Sequence, residues 1–66
     1  MIKLKLQYIP ATMFKKHLSL NNILFTRVGR TNLTIEVENT PVVRQIIRDV
    51  RTEYGFDSIT ILELLN

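Results

Sequence analysis

The chain has 66 residues, no cysteine and a formal net charge of +3, and 45% of its residues are hydrophobic. That length allows one domain near the lower limit of chains that fold alone, and the hydrophobic fraction is too high for a disordered segment. Without cysteine there is no disulfide and no thiolate metal site, so self-association is one way to complete a small core. The lack of cysteine also fits a cytoplasmic location, and the frequency of Ile and Asn fits a bacterial or phage genome rich in A and T.

No segment has the composition of a signal peptide or a membrane span. The first residues alternate lysine with apolar side chains and never form an unbroken apolar run. No apolar run approaches the about 20 residues that cross a bilayer. The sequence therefore predicts a small soluble domain without a membrane partner.

The first predicted element is a half-buried strand. Ile2, Leu4, Leu6 and Tyr8 alternate with lysine and glutamine, which is the period of a strand with one buried face. Pro10 is expected to end this strand because proline cannot donate to a sheet ladder.

The segment Ala11–Asn22 allows two interpretations. The spacing of Met13, Phe14, His17 and Leu18 suits a helix, whereas an alternation through Phe14, Lys16, Leu18 and Leu20 suits a strand. We favour a short helix or an irregular loop. A turn at Asn21 and Asn22 should follow, since asparagine tolerates a left-handed backbone.

A β-hairpin is predicted next, over Ile23 to Glu38. Its first strand spans Ile23–Val28, a turn follows, and Leu33, Ile35 and Val37 then alternate with polar residues. If these apolar side chains face a helix, the opposite sheet face carries charges of both signs. Those charges belong to Lys3, Lys5, Glu36 and Glu38.

The clearest element is an amphipathic helix over Pro41–Tyr54. Thr40 suits its N-cap, Pro41 suits its first position, and Gly55 suits a left-handed residue after its end. The buried side should consist of Val43, Ile46, Ile47, Val50 and Tyr54, which recur at helical spacing.

The last predicted element is a strand over Ser58 to Leu64, although Asp57 could instead cap a short C-terminal helix. The order is then β-(short α or loop)-β-β-α-β. We therefore predict a single α+β domain over residues 1–66, with a small antiparallel or mixed sheet of three to four strands and one main helix. This is the order of a ferredoxin-like unit with a shortened first helix.

The last strand is apolar on both faces. Alternation places Ile59 and Ile61 on one face and Leu62 and Leu64 on the other. So small a monomer has too little chain to cover both faces, so the pattern favours binding to a second copy, giving a dimer, or to another protein. The alternative is that Leu64–Asn66 form a frayed tail.

A row of arginines is the second candidate site. Arg44, Arg48 and Arg51 fall within a sector of about 60° on the main helix, and no acidic residue lies four positions from any of them. Arginine suits phosphate, so the row could contact nucleic acid, with Arg27 and Arg30 of the hairpin extending it. Alternatively the side chains simply cover the core edge and end in solvent.

Enzyme chemistry finds little support in the sequence. His17 is the only histidine, no glycine-rich phosphate loop is present, and neither serine lies in a nucleophile-elbow pattern. We therefore expect no catalytic residue, no cofactor and no metal. The sequence favours a non-enzymatic protein–protein interaction or self-associating module, with nucleic-acid binding through the arginines as the alternative.

Overall fold

A computed structural model describes residues 1–64 of the chain. Leu65 and Asn66, which belong to the alternative frayed tail, lie outside the described residues. The strands and helices follow one another in the order β1 (Ile2–Leu6), α1 (Tyr8–Leu20), β2 (Phe25–Arg27), β3 (Thr34–Val37), α2 (Pro41–Tyr54) and β4 (Ile59–Leu64). A short 3-10 turn, Phe56–Ser58, joins α2 to β4. The predicted α+β class, with the order β-α-β-β-α-β, is confirmed.

The four strands form one antiparallel sheet in the order β2-β3-β1-β4. At its centre, Leu4 lies opposite Ile35 of β3 on one side and Ile61 of β4 on the other. Because β1 and β3 are central, β2 and β4 are the two edges of the sheet. The edges differ in length: β2 has three residues and β4 has six.

Both helices cover the same face of the sheet and enclose the hydrophobic core. Each central strand contributes alternate residues, as the sequence predicts, and each helix contributes one side. The fully or nearly fully buried side chains are Ile2, Leu4, Leu6, Ala11, Phe14, Leu18, Ile35, Val37, Val43, Ile46, Ile47, Val50 and Ile59. Neither helix within residues 1–64 has the length and apolar character to cross a bilayer.

The other sheet face is polar. Lys3 lies opposite Glu36 of β3 and Glu63 of β4, and its Nζ is 3.4 Å from a carboxylate oxygen of Glu63. Lys5 lies opposite Thr34 and a second threonine of β4. The predicted placement of lysine beside Glu36 is confirmed, and Glu38 lies just after β3. This face has the charges of an ordinary solvated surface.

The prediction of only a short helix or loop in Ala11–Asn22 was wrong. Helix α1 has 13 residues and begins at Tyr8, so Pro10 lies in its first turn rather than ending a strand. Proline is tolerated there because the first N–H groups of a helix have no intrahelical partner. Ala11, Phe14 and Leu18 provide the buried side. The molecule therefore has two full helices instead of one main helix.

The connection from α1 to β2 is longer than predicted. Asn22 has a φ of +57°, which confirms the left-handed turn. Ile23 then donates its N–H to the Leu18 carbonyl at 2.9 Å, which ties it to the end of α1. The predicted strand Ile23–Val28 is for this reason reduced to Phe25–Arg27.

Helix α2 has the predicted bounds and cap. The Thr40 hydroxyl accepts a hydrogen bond from the Val43 N–H at 3.2 Å, and Pro41 occupies the first turn. Gly55 follows the helix, with φ +108° and ψ 156°. That conformation is not the predicted left-handed helical one, but it lies in a region essentially restricted to glycine.

Replacing Gly55 with alanine should destabilise the protein by about 1–3 kcal/mol, because a Cβ is strained at this φ even in open space. Urea denaturation followed by circular dichroism measures the loss. Thr52→Ala is the control, since Thr52 is exposed on the same helix and its replacement should cost less than about 0.5 kcal/mol. Equal stability of the two variants would contradict the prediction.

Candidate docking groove beside β4

The edge strand β4 contains a β-bulge that changes the predicted faces. Ile61 pairs with Leu4 and Glu63 pairs with Lys3, so Leu62 is an extra residue. One extra residue shifts the alternation that follows, and Leu64 therefore pairs with Ile2 on the helix-facing side. The prediction that Leu64 lies on the opposite face from Ile59 and Ile61 was wrong.

The apolar residues of β4 differ in exposure. Ile59 is fully buried in the core, so it is unavailable to a partner. The other three are exposed in similar measure: Ile61 by 45%, Leu62 by 49% and Leu64 by 58%. Of the four predicted contact residues, these three reach the surface.

The main chain of β4 offers hydrogen-bonding groups at the free edge. Leu6 donates its N–H to Leu33 on the β3 side, at 2.7 Å. In an antiparallel ladder the direction of the main-chain groups alternates, so the groups of its partner Ile59 point away from β1. The same alternation turns the N–H and C=O of Ile61 outward, on the side where none of the strands in residues 1–64 lies.

Arg51 closes the start of this edge. Its Nε and Nη2 both donate to the Ile59 carbonyl oxygen, at 3.1 and 2.7 Å. The guanidinium carbon also lies 4.7 Å from the centroid of the Phe56 ring. Arg51 therefore fastens α2 to β4, and the first outward-facing carbonyl without such a contact belongs to Ile61.

Replacing Arg51 with glutamine should destabilise the fold by about 1–3 kcal/mol, because both charge-assisted hydrogen bonds to Ile59 are lost. Arg44→Gln is the matched control on the same helix, with an expected cost below about 0.5 kcal/mol, since Arg44 is exposed. Urea midpoints of the two variants provide the comparison. A purely solvated Arg51 would instead make them indistinguishable.

The three helix arginines, called the arginine row below, are Arg44, Arg48 and Arg51. Arg44 donates from Nη1 to the Asn39 side-chain oxygen at 2.9 Å. The guanidinium of Arg48 makes no hydrogen bond or ion pair with any residue from 1 to 64. Arg51 therefore has a structural role, whereas Arg44 and Arg48 present charge at the surface.

A groove of about 520 Å³ runs between α2 and β4, and it unites the two predicted sites. Its apolar part includes Ile47 of the helix together with Ile61 and Leu64 of the strand. The arginine row lies along its helix side. None of the described residues that line this groove, called the β4 groove below, is acidic. The β4 groove thus combines an apolar surface with uncompensated positive charge.

The predicted extension of the arginine row into the hairpin does not occur. Arg27 lies on β2, which is the opposite edge of the sheet, and its Nη1 donates to the Asn32 side chain at 3.2 Å. Arg30 lies in the exposed turn after β2. With strands about 4.8 Å apart, the width of the sheet separates Arg27 from the β4 groove.

Sequence reasoning missed two features of this site. Nothing in the local pattern indicates the bulge at Leu62, because it arises only from the pairing with β1. The contact of Arg51 with Phe56 and the Ile59 carbonyl was also missed. An arginine eight residues before a strand is, at best, a weak signal for it.

Within residues 1–64, no three His, Asp or Glu side chains cluster in a way that could hold a metal ion. No family model, no curated protein and no solved structure matches the chain. The function is accordingly argued from the β4 groove itself.

Proposed function

We propose that this protein is a non-enzymatic protein–protein interaction module that binds an extended segment of a partner along the free edge of β4. The observation that carries the proposal is the coincidence at Ile61 of an outward-facing main chain and a side chain in the β4 groove. Strand addition to a sheet uses both: the main chain supplies affinity and the side-chain pocket supplies specificity.

The contrast between the two edges supports this proposal. Exposed edges are usually kept short or charged, because an apolar edge promotes aggregation. The β2 edge follows that rule, with three residues that include Arg27. The β4 edge has six residues, and Ile61, Leu62 and Leu64 are all about half exposed. A bound partner would cover this apolar surface.

Nucleic-acid binding is the second candidate, and it is less well supported. Its best support is Arg48, whose guanidinium has no partner among the described residues. Two observations argue against it. Arg51 already donates two hydrogen bonds to the Ile59 carbonyl, and Arg27 lies on β2 at the opposite edge of the sheet. The row is therefore a short patch with two available cations. Phosphate binding of this kind should be lost steeply as salt rises.

Affinity capture with paired baits tests the proposal. The wild-type protein, Ile61→Glu at the β4 edge and Thr26→Glu at the β2 edge are each used to capture partners from a nuclease-treated lysate of the native host. Thr26 is exposed and faces the polar side, so its variant controls for the added charge. We expect the wild type and Thr26→Glu to retain the same partner and Ile61→Glu to lose it.

Two other results would contradict the proposal. One is capture that survives Ile61→Glu, which would place the interaction elsewhere. The other is capture that occurs from an untreated lysate and is lost after nuclease treatment, which would assign the surface to nucleic acid. Light scattering on the purified wild type measures its molar mass in solution. A dimer that Ile61→Glu converts to a monomer would identify a second copy of the chain as the occupant.

A further inference from the structure

The chemistry of the β4 groove specifies its occupant further, on the basis of the proposed function. We infer that the groove receives an extended segment of another protein in which carboxylate and apolar side chains share the side that faces α2. A second copy of this chain is not the favoured occupant. Both parts of the inference follow from the distribution of charge around β4.

The charge of the arginine row is not balanced by any described residue that lines the groove. No described groove-lining residue is acidic, and among residues 1–64 the Arg44 guanidinium hydrogen-bonds only to the neutral Asn39 side chain. The guanidinium of Arg48 has no hydrogen-bond partner in the described part of the chain. A carboxylate on a partner would form charge-assisted, bidentate contacts with these guanidiniums, which are stronger than a contact to an amide.

The floor of the groove requires apolar side chains in the same segment. Ile61 and Leu64 are half exposed beside the buried Ile47. The β4 residues whose side chains face α2 are also those whose main-chain N–H and C=O face the free edge of the sheet. A strand paired with Ile61 therefore places its own alternate side chains beside both Ile61 and the arginine row.

The spacing of the arginines suits such a strand. Arg44 and Arg48 are four residues apart, or about 6 Å along the helix axis at 1.5 Å per residue. Alternate side chains of an extended strand are about 6.8 Å apart. Neighbouring side chains on one side of such a strand therefore have nearly the spacing of these two arginines, so a strand that alternates valine and glutamate on that side can place a carboxylate at one arginine and an apolar side chain next to it in the groove. Arg51 is already bonded to Ile59 and is expected to contribute mainly its charge.

A second copy fits the groove poorly on charge. Antiparallel pairing of two β4 strands about a two-fold axis perpendicular to the sheet keeps both helix layers on the same side, so the two arginine rows would face each other across the seam. Glu63, the acidic residue of β4, lies on the opposite face beside Lys3. Like charges brought together in this way oppose association, whereas an acidic segment would relieve the repulsion.

Synthetic peptides test the inference directly. The probe is TVTETVTE, in which valine and glutamate share one side of the strand, and TVTKTVTK is its matched cationic counterpart. We expect TVTETVTE to shift the NMR signals of Ile61, Leu64 and Arg48, and to bind at least about tenfold more tightly than TVTKTVTK, a difference equivalent to about 1.4 kcal/mol. N-methylation of alternate amides, which blocks strand pairing, should abolish binding.

A charge-reversal variant distinguishes specific binding of an acidic peptide from nonspecific binding. Arg48→Glu should weaken TVTETVTE at least about tenfold and improve TVTKTVTK, because the sign of the free charge is reversed. The same exchange at the far edge, Arg27→Glu, should change neither affinity. Circular dichroism of each variant verifies that the fold is intact, which is expected because Arg48 is exposed.

The outcomes also distinguish this inference from the proposed function. Equal binding of both peptides at Ile61, unaffected by Arg48→Glu, would overturn the acidic specificity and leave strand docking in place. A dimer that forms through β4 and excludes both peptides would assign the edge to a second copy. If single-stranded DNA shifts Arg48 but not Ile61 and neither peptide binds, both the inference and strand docking fail.

Discussion

Replacing Phe14 with alanine is expected to unfold a large part of the population at room temperature. Phe14 is fully buried and is among the largest core side chains. Truncation of a buried phenylalanine costs about 3–5 kcal/mol, because apolar burial is lost and a cavity remains. At 0.05–0.15 kcal/mol per residue, a domain of this size has a total stability of only about 3–10 kcal/mol. Urea denaturation and near-ultraviolet circular dichroism measure the effect.

Tyr8→Ala is the control for this experiment. Tyr8 belongs to the same helix and is also aromatic, but its side chain is mostly exposed. Its replacement should change the free energy of unfolding by no more than about 0.5 kcal/mol. Comparable losses in both variants would mean that α1 does not pack on the sheet as described.

The second large effect is expected at Ile61. Ile61→Glu should weaken binding of the TVTETVTE peptide at least about thirtyfold, equivalent to about 2 kcal/mol, since it places a carboxylate in the apolar floor and competes for the arginines. Leu62→Glu should weaken it less than about threefold. Fluorescence anisotropy of the labelled peptide, at constant salt, gives both dissociation constants.

Leu62 makes an unusually close control. The two residues are adjacent on β4, both are aliphatic, and their exposed fractions are 45% and 49%. They differ in position, because Ile61 lines the β4 groove and Leu62 is the extra residue of the bulge. If Leu62→Glu proved the more damaging, the partner would contact the bulge rather than the groove, and the proposed docking mode would be incorrect.

The sequence predicted α2 with the observed bounds because its signals are local. A capping threonine, a proline in the first turn and a regular apolar stripe all lie within Thr40–Tyr54. Helix α1 has weaker local signals. The Gln7 side chain makes no capping hydrogen bond, and Pro10 resembles a residue that ends a strand. Tyr8 and Ile9 are apolar but exposed, so they do not fit the pattern of the buried side. Tertiary packing of Phe14 and Leu18 compensates for this weak local preference.

The candidate site was predictable in its residues but not in its arrangement. Ile61, Leu64 and the arginine row were each identified from spacing along the chain. Their convergence in one groove depends on which strand lies at the edge of the sheet. It also depends on the bulge at Leu62, which shifts the alternation of side chains between the two faces. Both are set by pairing between residues about 60 positions apart, such as Lys3 and Glu63, and no short-range pattern encodes them.

With its carbonyl occupied by Arg51, Ile59 cannot accept from an incoming chain, so the first free acceptor such a chain meets is at Ile61. An added strand that slid toward the beginning of β4 would have to displace a guanidinium, so pairing frames shifted in that direction are disfavoured. Within the described residues, the part of β4 beyond this contact runs from Ile61 to Leu64. Arg51 would therefore set the limit to which an added strand can pair toward the start of β4.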